Sequence, residues 1–294
     1  MMKHPSANGI GSIDRRRFLQ VSAMAGTAVL MPGLSGLAAE EKDPYGGFKM
    51  GLQSYSLRAF DLKTALSHTK MLGVHYWESF PGHLPIVAVP KLIAEQKAQL
   101  DEAGVTLMAY GVVPFDSNEN AARAKFDYAK ATGMTSLSAD PKKDKATFDL
   151  LDKLCEEYGV AIAIHNHGPG ARYDKIKDVV DIVKDRHPKI GACVDTGHYL
   201  RSDEDPVEAI AQLKDRVFGV HLKDVRTITS GGKRSKQFTI LGQGELKVVE
   251  CLKLLRSLNY PYCLALEYEE NEKNPLSDIE VCLQTVRDAV KTLG

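Results

Sequence analysis

The chain has 294 residues, and 38 Lys and Arg balance 38 Asp and Glu to a formal net charge of +0. Hydrophobic residues make up 44% and charged residues 26%, which excludes a disordered or fibrous chain and allows a core that needs no disulfide staples. Neutral charge of mixed sign argues against nucleic acid as the main partner, because phosphate binding calls for clustered Lys and Arg.

Residues 1–39 differ in kind from the rest. Arg15, Arg16 and Arg17 precede Phe18 and Leu19, and a weakly apolar stretch of Ala, Val, Met and Gly runs on to Leu37. Ala38 and Ala39 offer a small-residue cleavage site. This pattern predicts a twin-arginine export signal, with Asp14 where Ser or Thr is commoner. The apolar stretch is weak for a permanent span, so no stable membrane span is expected after signal removal. The predicted location is periplasmic or secreted. Removing Lys3 and three arginines against Asp14 leaves 34 basic and 37 acidic residues. The five cysteines, Cys155, Cys193, Cys251, Cys263 and Cys282, lie scattered in apolar contexts and read as free buried thiols.

Residues 40–294 are expected to form one domain. Short apolar runs alternate with amphipathic stretches from Phe48 onward. The runs are "KMGLQSYS", "VHYWESF", "TLMAYGV", "TSLSAD", "VAIAIHNHG", "IGACVDTGH", "VFGVHLKD" and "YCLALEYE". Three of the stretches between them, ending at Gly104, Gly133 and Gly159, read as helices closed by glycine. Polar strand ends fall near Gln53, Glu78, Tyr110, Ala139, His165, Asp195, His221 and Glu267. All but the last of these steps lie between 25 and 32 residues, the length of a βα unit. Eight such units predict a (β/α)8 TIM barrel of the α/β class. The rival, a doubly wound open sheet, lacks its G-x-G-x-x-G loop after the first run. The last step, 46 residues, holds "RTITSGGKRSKQFTILGQGELK", predicted to be an elaborated loop over the barrel mouth.

Catalytic groups of a barrel sit at the C-terminal strand ends. Residues two apart on a strand share a face. His165 and His167 therefore share a face with the small Ala161 and Ala163. Asp195 falls in line with Cys193 and Gly191. His221 falls in line with Gly219 and Lys223, and Glu267 with Ala265, Cys263 and Glu269. Four successive strands thus turn small residues and then one His, Asp or Glu to one face. That mixed nitrogen and oxygen set suits Mn, Co, Zn or Fe better than Ca. Such a divalent metal would polarise a carbonyl or activate water.

The motifs "VDTGH", "VHLKD", "LGQGEL" and "LALEYE", with "HNHG" before them, resemble the xylose isomerase-like TIM-barrel superfamily, the sugar phosphate isomerase/epimerase group. The resemblance covers about residues 48–290. It implies one metal held by residues on strands five to eight, carried over as His165, Asp195, His221 and Glu267. His165 stands where many relatives have Glu. Epimerases of the group resemble two-base machines with metal-bound carboxylates on opposite faces of the substrate. His165 removes one of those carboxylates. Glu267 is then the candidate base, and His198, Glu78 or Lys223 the group on the opposite face. Lys223 either stabilises an enolate oxygen or pairs with Asp224 at the surface. His167 is assigned to the substrate or to the ligands' outer surroundings, and His198 to a substrate hydroxyl. Gln53, Trp77 and Phe80 are assigned to the sugar, Trp77 and Phe80 alternatively to packing. His83 is the weaker candidate of that loop.

The expected function is a metal-dependent sugar isomerase or epimerase on a small-molecule carbohydrate, abstracting a proton next to a carbonyl. The rival is a lyase or hydratase that expels a β-substituent from a keto-sugar or 3-keto-glycoside. A non-catalytic sugar-binding barrel and a DNA-repair endonuclease rank lower, and the oligomeric state is left open.

Overall fold

The computed structural model describes residues 43–293, so the export signal predicted over residues 1–39 lies outside the described residues. The first seven apolar runs form β1 (Lys49–Gln53), β2 (Tyr76–Ser79), β3 (Thr106–Phe115), β4 (Ser136–Pro141), β5 (Ala161–His165), β6 (Ile190–Asp195) and β7 (Val217–Leu222). A hairpin of β8 (Asp224–Ser230) and β9 (Lys233–Thr239) follows, and the last run is β10 (Cys263–Leu266). The eight apolar runs close into a parallel barrel in the order β1-β10-β7-β6-β5-β4-β3-β2, which excludes the open-sheet alternative.

The helices begin with α1 (Leu62–Met71), α2 (Pro90–Ala103), α3 (Glu119–Thr132) and α4 (Lys145–Tyr158). They continue with α5 (Ile176–Val183), α6 (Thr196–Arg201), α7 (Pro206–Leu213), α8 (Val248–Ser257) and α9 (Leu276–Lys291). The side chains of Asp61, Asn118 and Asp144 cap α1, α3 and α4 by accepting from backbone N–H groups one turn on. Gly104, Gly133 and Gly159 close α2, α3 and α4 in the left-handed conformation expected of them.

Strand alternation divides the core. The bulky residues Ile162, Ile164, Val194, Val220, Leu264 and Leu266 belong to the main core cluster with the helices. The small residues Ala161, Ala163 and Cys193 form a separate cluster with Phe218, and Cys263 and Ala265 another with Met108. Small inner residues leave room above them for the side chains at the strand ends. All five cysteines are free and buried. Among the described residues, no helix is long and apolar enough to cross a membrane.

The segment after β7 differs from the loop predicted there. It folds back as an antiparallel hairpin through a Gly231–Gly232 turn, with Asp224 opposite Thr239 and Ser230 opposite Lys233. The "LGQGEL" segment then wraps around one buried carboxylate. Asp224 Oδ1 accepts from the N–H groups of Val225 (2.8 Å), Glu245 (2.9 Å) and Leu246 (2.9 Å). Its Oδ2 accepts from Gly242 and Gly244, each at 3.0 Å. A Cβ on Gly244 would lie 2.4 Å from Asp224 Oδ1 and 2.3 Å from the Val225 carbonyl, so this turn requires glycine. The Lys223–Asp224 surface pair weighed from the sequence does not form, because neighbours on a strand point to opposite faces. Asp224 anchors the loop, and Lys223 turns into the barrel.

Replacing Asp224 by Asn exchanges one acceptor oxygen for a donor amide that faces two backbone N–H groups. Asp224→Asn is expected to destabilise the fold by about 1–3 kcal/mol, read as a lower urea-unfolding midpoint. An unchanged midpoint would show that the loop closes without the carboxylate.

Candidate metal centre and substrate pocket

The four ligand-type residues predicted from strand alternation come together. One nitrogen or oxygen from each of His165, Asp195, His221 and Glu267 lies within 4.8 Å of the others, and all four residues are buried. His165 Nε2 stands 3.5 Å from Asp195 Oδ2. His221 Nδ1 stands 3.1 Å from Glu267 Oε2 and 3.6 Å from Asp195 Oδ2. Among the described residues, these four atoms are buried without an aligned hydrogen-bond partner. Leaving so many buried polar atoms unsatisfied is costly, and two imidazole nitrogens with two carboxylate oxygens match a divalent transition metal. The residues therefore fit a metal.

The "VDTGH" stretch explains how the ligands are set. Asn166 grips the peptide of Asp195 with both ends of its amide, giving Nδ2–H to the carbonyl (2.9 Å) and accepting the N–H at Oδ1 (2.8 Å). That clamp fixes β5 against β6. Asp195 Oδ1 accepts the His198 N–H at 2.7 Å and caps α6, which leaves Oδ2 for a cation. The Thr196 hydroxyl ties β6 to β7 by donating to the Lys223 carbonyl (2.6 Å) and accepting the Lys223 N–H (2.9 Å). Gly197 lets the lysine stem pass, since a Cβ there would lie 2.6 Å from Lys223 Cγ.

Lys223 enters the cluster from this side. Its ammonium lies 3.0 Å from Asp195 Oδ2, 2.7 Å from Glu267 Oε2 and 2.5 Å from Glu269 Oε1. Burial pulls the ammonium towards neutrality, but Asp195, Glu267 and Glu269 outweigh it and hold Lys223 charged, above the usual lysine value. Burial pushes the Asp195 carboxyl up, and His198 and Lys223 overcome it and hold that carboxyl well below the usual range. Glu267 is likewise held low against burial by Lys223 and His221. Both carboxylates stay ionised and available to a metal.

Glu78 and Gln53 require corrections. Glu78 is fully buried beneath the cluster, closed to a substrate. Its Oε2 lies 3.0 Å from His221 Nε2, and its Oε1 accepts from Gln53 Nε2 at 2.9 Å. Glu78 therefore orients His221 rather than facing a substrate as a base. A carboxylate on the far nitrogen of a ligating imidazole is a common support of metal sites. Burial opposes a charged His221, but the carboxylates against it, Glu78 and Glu267, raise it well above the usual imidazole value. Gln53 reaches the cavity wall, yet its amide is committed to Glu78 and to the Tyr55 N–H. It braces Glu78 from the lining of the cavity, the side on which the sequence expected it to meet a sugar. Glu78, Cys193 and His221 also have ligand atoms within 4.8 Å of one another. Burial keeps that thiol protonated, so this second set is the poorer one.

Trp77 is a further correction. It is 0% exposed, gives its indole N–H to Thr69 on α1 at 2.9 Å and stacks on His83. Glu78 takes the inward face of β2, so its neighbour Trp77 must point into the helix layer. His83, buried with its ring 3.1 Å from the Phe60 carbonyl, is structural as well. Phe80 does reach the mouth of the barrel.

A cavity of about 250 Å³ opens above the cluster. Tyr55, Phe80 and Pro81 wall one side, and His165, His167, His198, Glu267 and Glu269 reach it from the strand ends. His167 and His198 stack at 4.2 Å. Burial pulls His198 down to about 2 and lowers His167 too, so both rings are neutral near pH 7. The Arg201 guanidinium lies 3.1 Å from His198 Nδ1 and the Lys223 ammonium 3.5 Å from its Nε2. Sequence reasoning missed Tyr55, Arg201 and Phe238 and gave Glu269 no role. Phe238 of β9 lies with its ring 5.6 Å from that of His198 and 5.1 Å from the Lys223 ammonium.

The profile of the xylose isomerase-like TIM barrel family matches residues 66–285. The chain belongs to that family. This member is 32% identical over 140 residues to the inosose dehydratase of Clostridium botulinum (strain Alaska E43 / Type E3), a match covering 43% of this chain and 47% of that protein. The chain thus spans about half the length of the curated relatives it matches. A sugar phosphate isomerase/epimerase from Parabacteroides distasonis superposes with a TM-score of 0.62 at 18% identity, covering 82% of this chain and 96% of that one. The IOLI protein, whose crystal structure holds a zinc atom, superposes with a TM-score of 0.63 at 17% identity, covering 83% and 98%. At these identities the two superpositions show a shared fold.

Metal binding needs a neutral His221, whereas the surrounding carboxylates favour its charged form. Metal affinity is therefore expected to rise with pH, by up to about tenfold per unit between about pH 6 and 8, as His221 gives up its proton. Calorimetric titration with Zn or Mn in buffers of differing ionisation heat measures both the affinity and the proton released. Glu78→Gln is expected to flatten that slope and, at the alkaline end, to weaken binding about 10- to 100-fold. An unaltered slope and affinity would contradict the orienting role of Glu78.

Proposed function

We propose that the protein is a divalent-metal-dependent lyase that removes a proton beside the carbonyl of a polyhydroxylated ketone and expels the substituent one carbon further on. The arrangement of bases in the cavity carries this reading. Glu267 and Glu269 reach the cavity from the end of β10, whereas His165 and His167 reach it from the end of β5 and His198 from α6. Epimerisation through paired carboxylates calls for one on each face of the substrate. Among the described lining residues, both carboxylates come from one side. The 32% identity to an inosose dehydratase favours the same reading over the isomerase expected from the resemblance.

A metal of the Mn, Co, Zn or Fe kind, held by His165, Asp195, His221 and Glu267, would supply polarisation of the carbonyl. Lys223 adds fixed positive charge at the cavity floor, steadying the carbonyl oxygen as it gains negative charge. Glu267 was the base expected from the sequence, but a carboxylate held this far down is a weak one. His167 is the better base, being neutral, facing the cavity and free of side-chain hydrogen bonds to other described residues. It takes the proton while the C–H electron pair moves towards the carbonyl. When that pair returns to break the bond to the β-substituent, His167 hands the proton to the departing oxygen. His198, stacked on His167 and lining the same cavity, flanks that oxygen. Water or an alcohol leaves, and an unsaturated ketone remains.

Incubation of the metal-loaded protein with inosose and with 3-keto-glycosides in D₂O tests this. The expected result is an ultraviolet-absorbing unsaturated ketone with release of water or aglycone. His167→Gln is expected to lower kcat by about 10²- to 10⁴-fold with metal affinity retained. A rearranged sugar that carries solvent deuterium and keeps all its substituents would establish an isomerase instead.

We also propose that the chain is exported by the twin-arginine route to the periplasm or beyond, on the strength of Arg15, Arg16, Phe18 and Leu19. Fractionation of cells making the full chain is expected to show export that an Arg15→Lys, Arg16→Lys double substitution abolishes. Cytoplasmic retention of the unaltered chain would refute it.

A further inference from the structure

We infer that Glu269 reserves the cavity for uncharged substrates, so that the carbohydrate taken is a neutral polyol or glycoside ketone and not a phosphorylated one. This deepens the reading above and rests on the same cavity. The motifs of this chain resemble a group named for sugar phosphates, so the charge of the substrate is an open chemical question.

An anionic substrate needs an unspent cation in the wall, and the cavity offers none among its described residues. Glu267 and Glu269 are its two charged lining residues, and both are acids. The ammonium at its floor, Lys223, has a side chain only 2% exposed and contacts three carboxylates. Arg58 spends its N–H groups on the carbonyls of Tyr55 (3.2 Å) and Glu269 (2.7 Å) and on the Glu272 carboxylate (3.3 Å). Arg201, which is not among the residues lining the cavity, gives one N–H to His198 and lies 5.2 Å over the Phe238 ring.

The charges around the site can be weighed. Glu78, Asp195, Glu267 and Glu269 set four negative charges around Lys223 and His221. With its histidines as neutral ligands, Lys223 and a divalent metal return three, so this buried cluster stays one charge negative and disfavours a phosphate set against it. Glu269 decides the sign. Its side chain is 23% exposed, and of the three carboxylates on Lys223 it is the one that lines the cavity without belonging to the four clustered ligands. Without its charge the loaded site would be neutral, and Lys223 would have a hydrogen bond to give.

The opposite wall suits a neutral ring. Tyr55 and Phe80 meet edge to face with centroids 5.4 Å apart, and the Arg58 guanidinium lies 4.6 Å from the Tyr55 ring, holding it in place. An aromatic pair of this kind offers an apolar surface to the C–H face of a sugar or cyclitol.

Calorimetric titration of the zinc-loaded protein with myo-inositol, with its monophosphate and with inorganic phosphate tests the inference. The wild-type protein is expected to bind the neutral cyclitol at least about tenfold more tightly than the monophosphate, about 1.4 kcal/mol, with inorganic phosphate failing to compete. Glu269→Gln is expected to close or reverse that gap, and Glu269→Asp to preserve it. A wild-type preference for the monophosphate overturns the inference, and so does binding of neither. An unaltered gap in a Glu269→Gln protein that melts as the wild type does removes Glu269 as the cause. The wild-type comparison stands if the variant fails to fold. These titrations read binding alone. A protein that prefers the neutral cyclitol but expels nothing from any ketone refutes the lyase and leaves this inference in place.

Discussion

The site is organised by a surplus of buried negative charge. Asp195 and Glu78 are fully buried, Glu267 is 9% exposed, and Glu269 closes the group from the cavity side. Carboxylates taken out of water must be paired or neutralised. Lys223 alone cannot balance them. His221, between Glu78 on one side and Asp195 and Glu267 on the other, is driven towards its charged form for the same reason. A divalent cation would reduce the imbalance to one charge and let His221 become a neutral ligand. The demand for a metal is therefore a property of the whole charge set, beyond that of four residues that happen to converge.

Holding such a set together is the work of the strand ends. Each conserves its geometry through a bond to the next strand: Asn166 grips the Asp195 peptide, Thr196 bridges to Lys223, and Asp224 gathers the loop that follows the hairpin. These bonds are made by backbone groups or by side chains facing away from the cavity. The cavity side chains are thus left to ligation and binding. The hairpin adds Phe238 over Lys223 and His198, sheltering both from water on the side the barrel leaves open. Shelter of this kind strengthens every charge interaction beneath it.

Much of this was legible in the sequence because period and chemistry coincide in a barrel. Alternation along "AIAIHNH", "ACVDTGH", "GVHLKD" and "CLALEYE" places small residues and then a ligand on one face, and the folded chain obeys it. The same rule, applied to "YWESF", would have turned Trp77 away from the sugar, since Trp77 and Glu78 cannot share a face. The Gly231–Gly232 turn also carried a hairpin signal within what was expected to be a loop. The role of Glu78 was not legible. Whether an inward carboxylate faces a substrate or the far side of a ligand depends on its height in the barrel, which the register shift between β2 and β3 at Trp77 and Glu78 alters. Tyr55, Arg201 and Phe238 come from a turn, a short helix and a hairpin, none of which has a period that announces contact with the strand ends.

His165 draws these strands together. A glutamate at this position would bring a fifth negative charge into a space where Lys223 and one divalent metal return only three. A neutral imidazole keeps the deficit at one charge and leaves the metal more electron-poor than three carboxylates would. A carbonyl oxygen bound beside such a metal and Lys223 is better supported as it gains charge. It also leaves imidazoles at the end of β5 and on α6 facing the cavity, of which His167, free of metal ligation, is on the reading proposed above the one that exchanges a proton with substrate. On the lyase reading proposed above, a histidine in the ligand set would move charge, base and acid together, away from symmetric proton exchange and towards elimination.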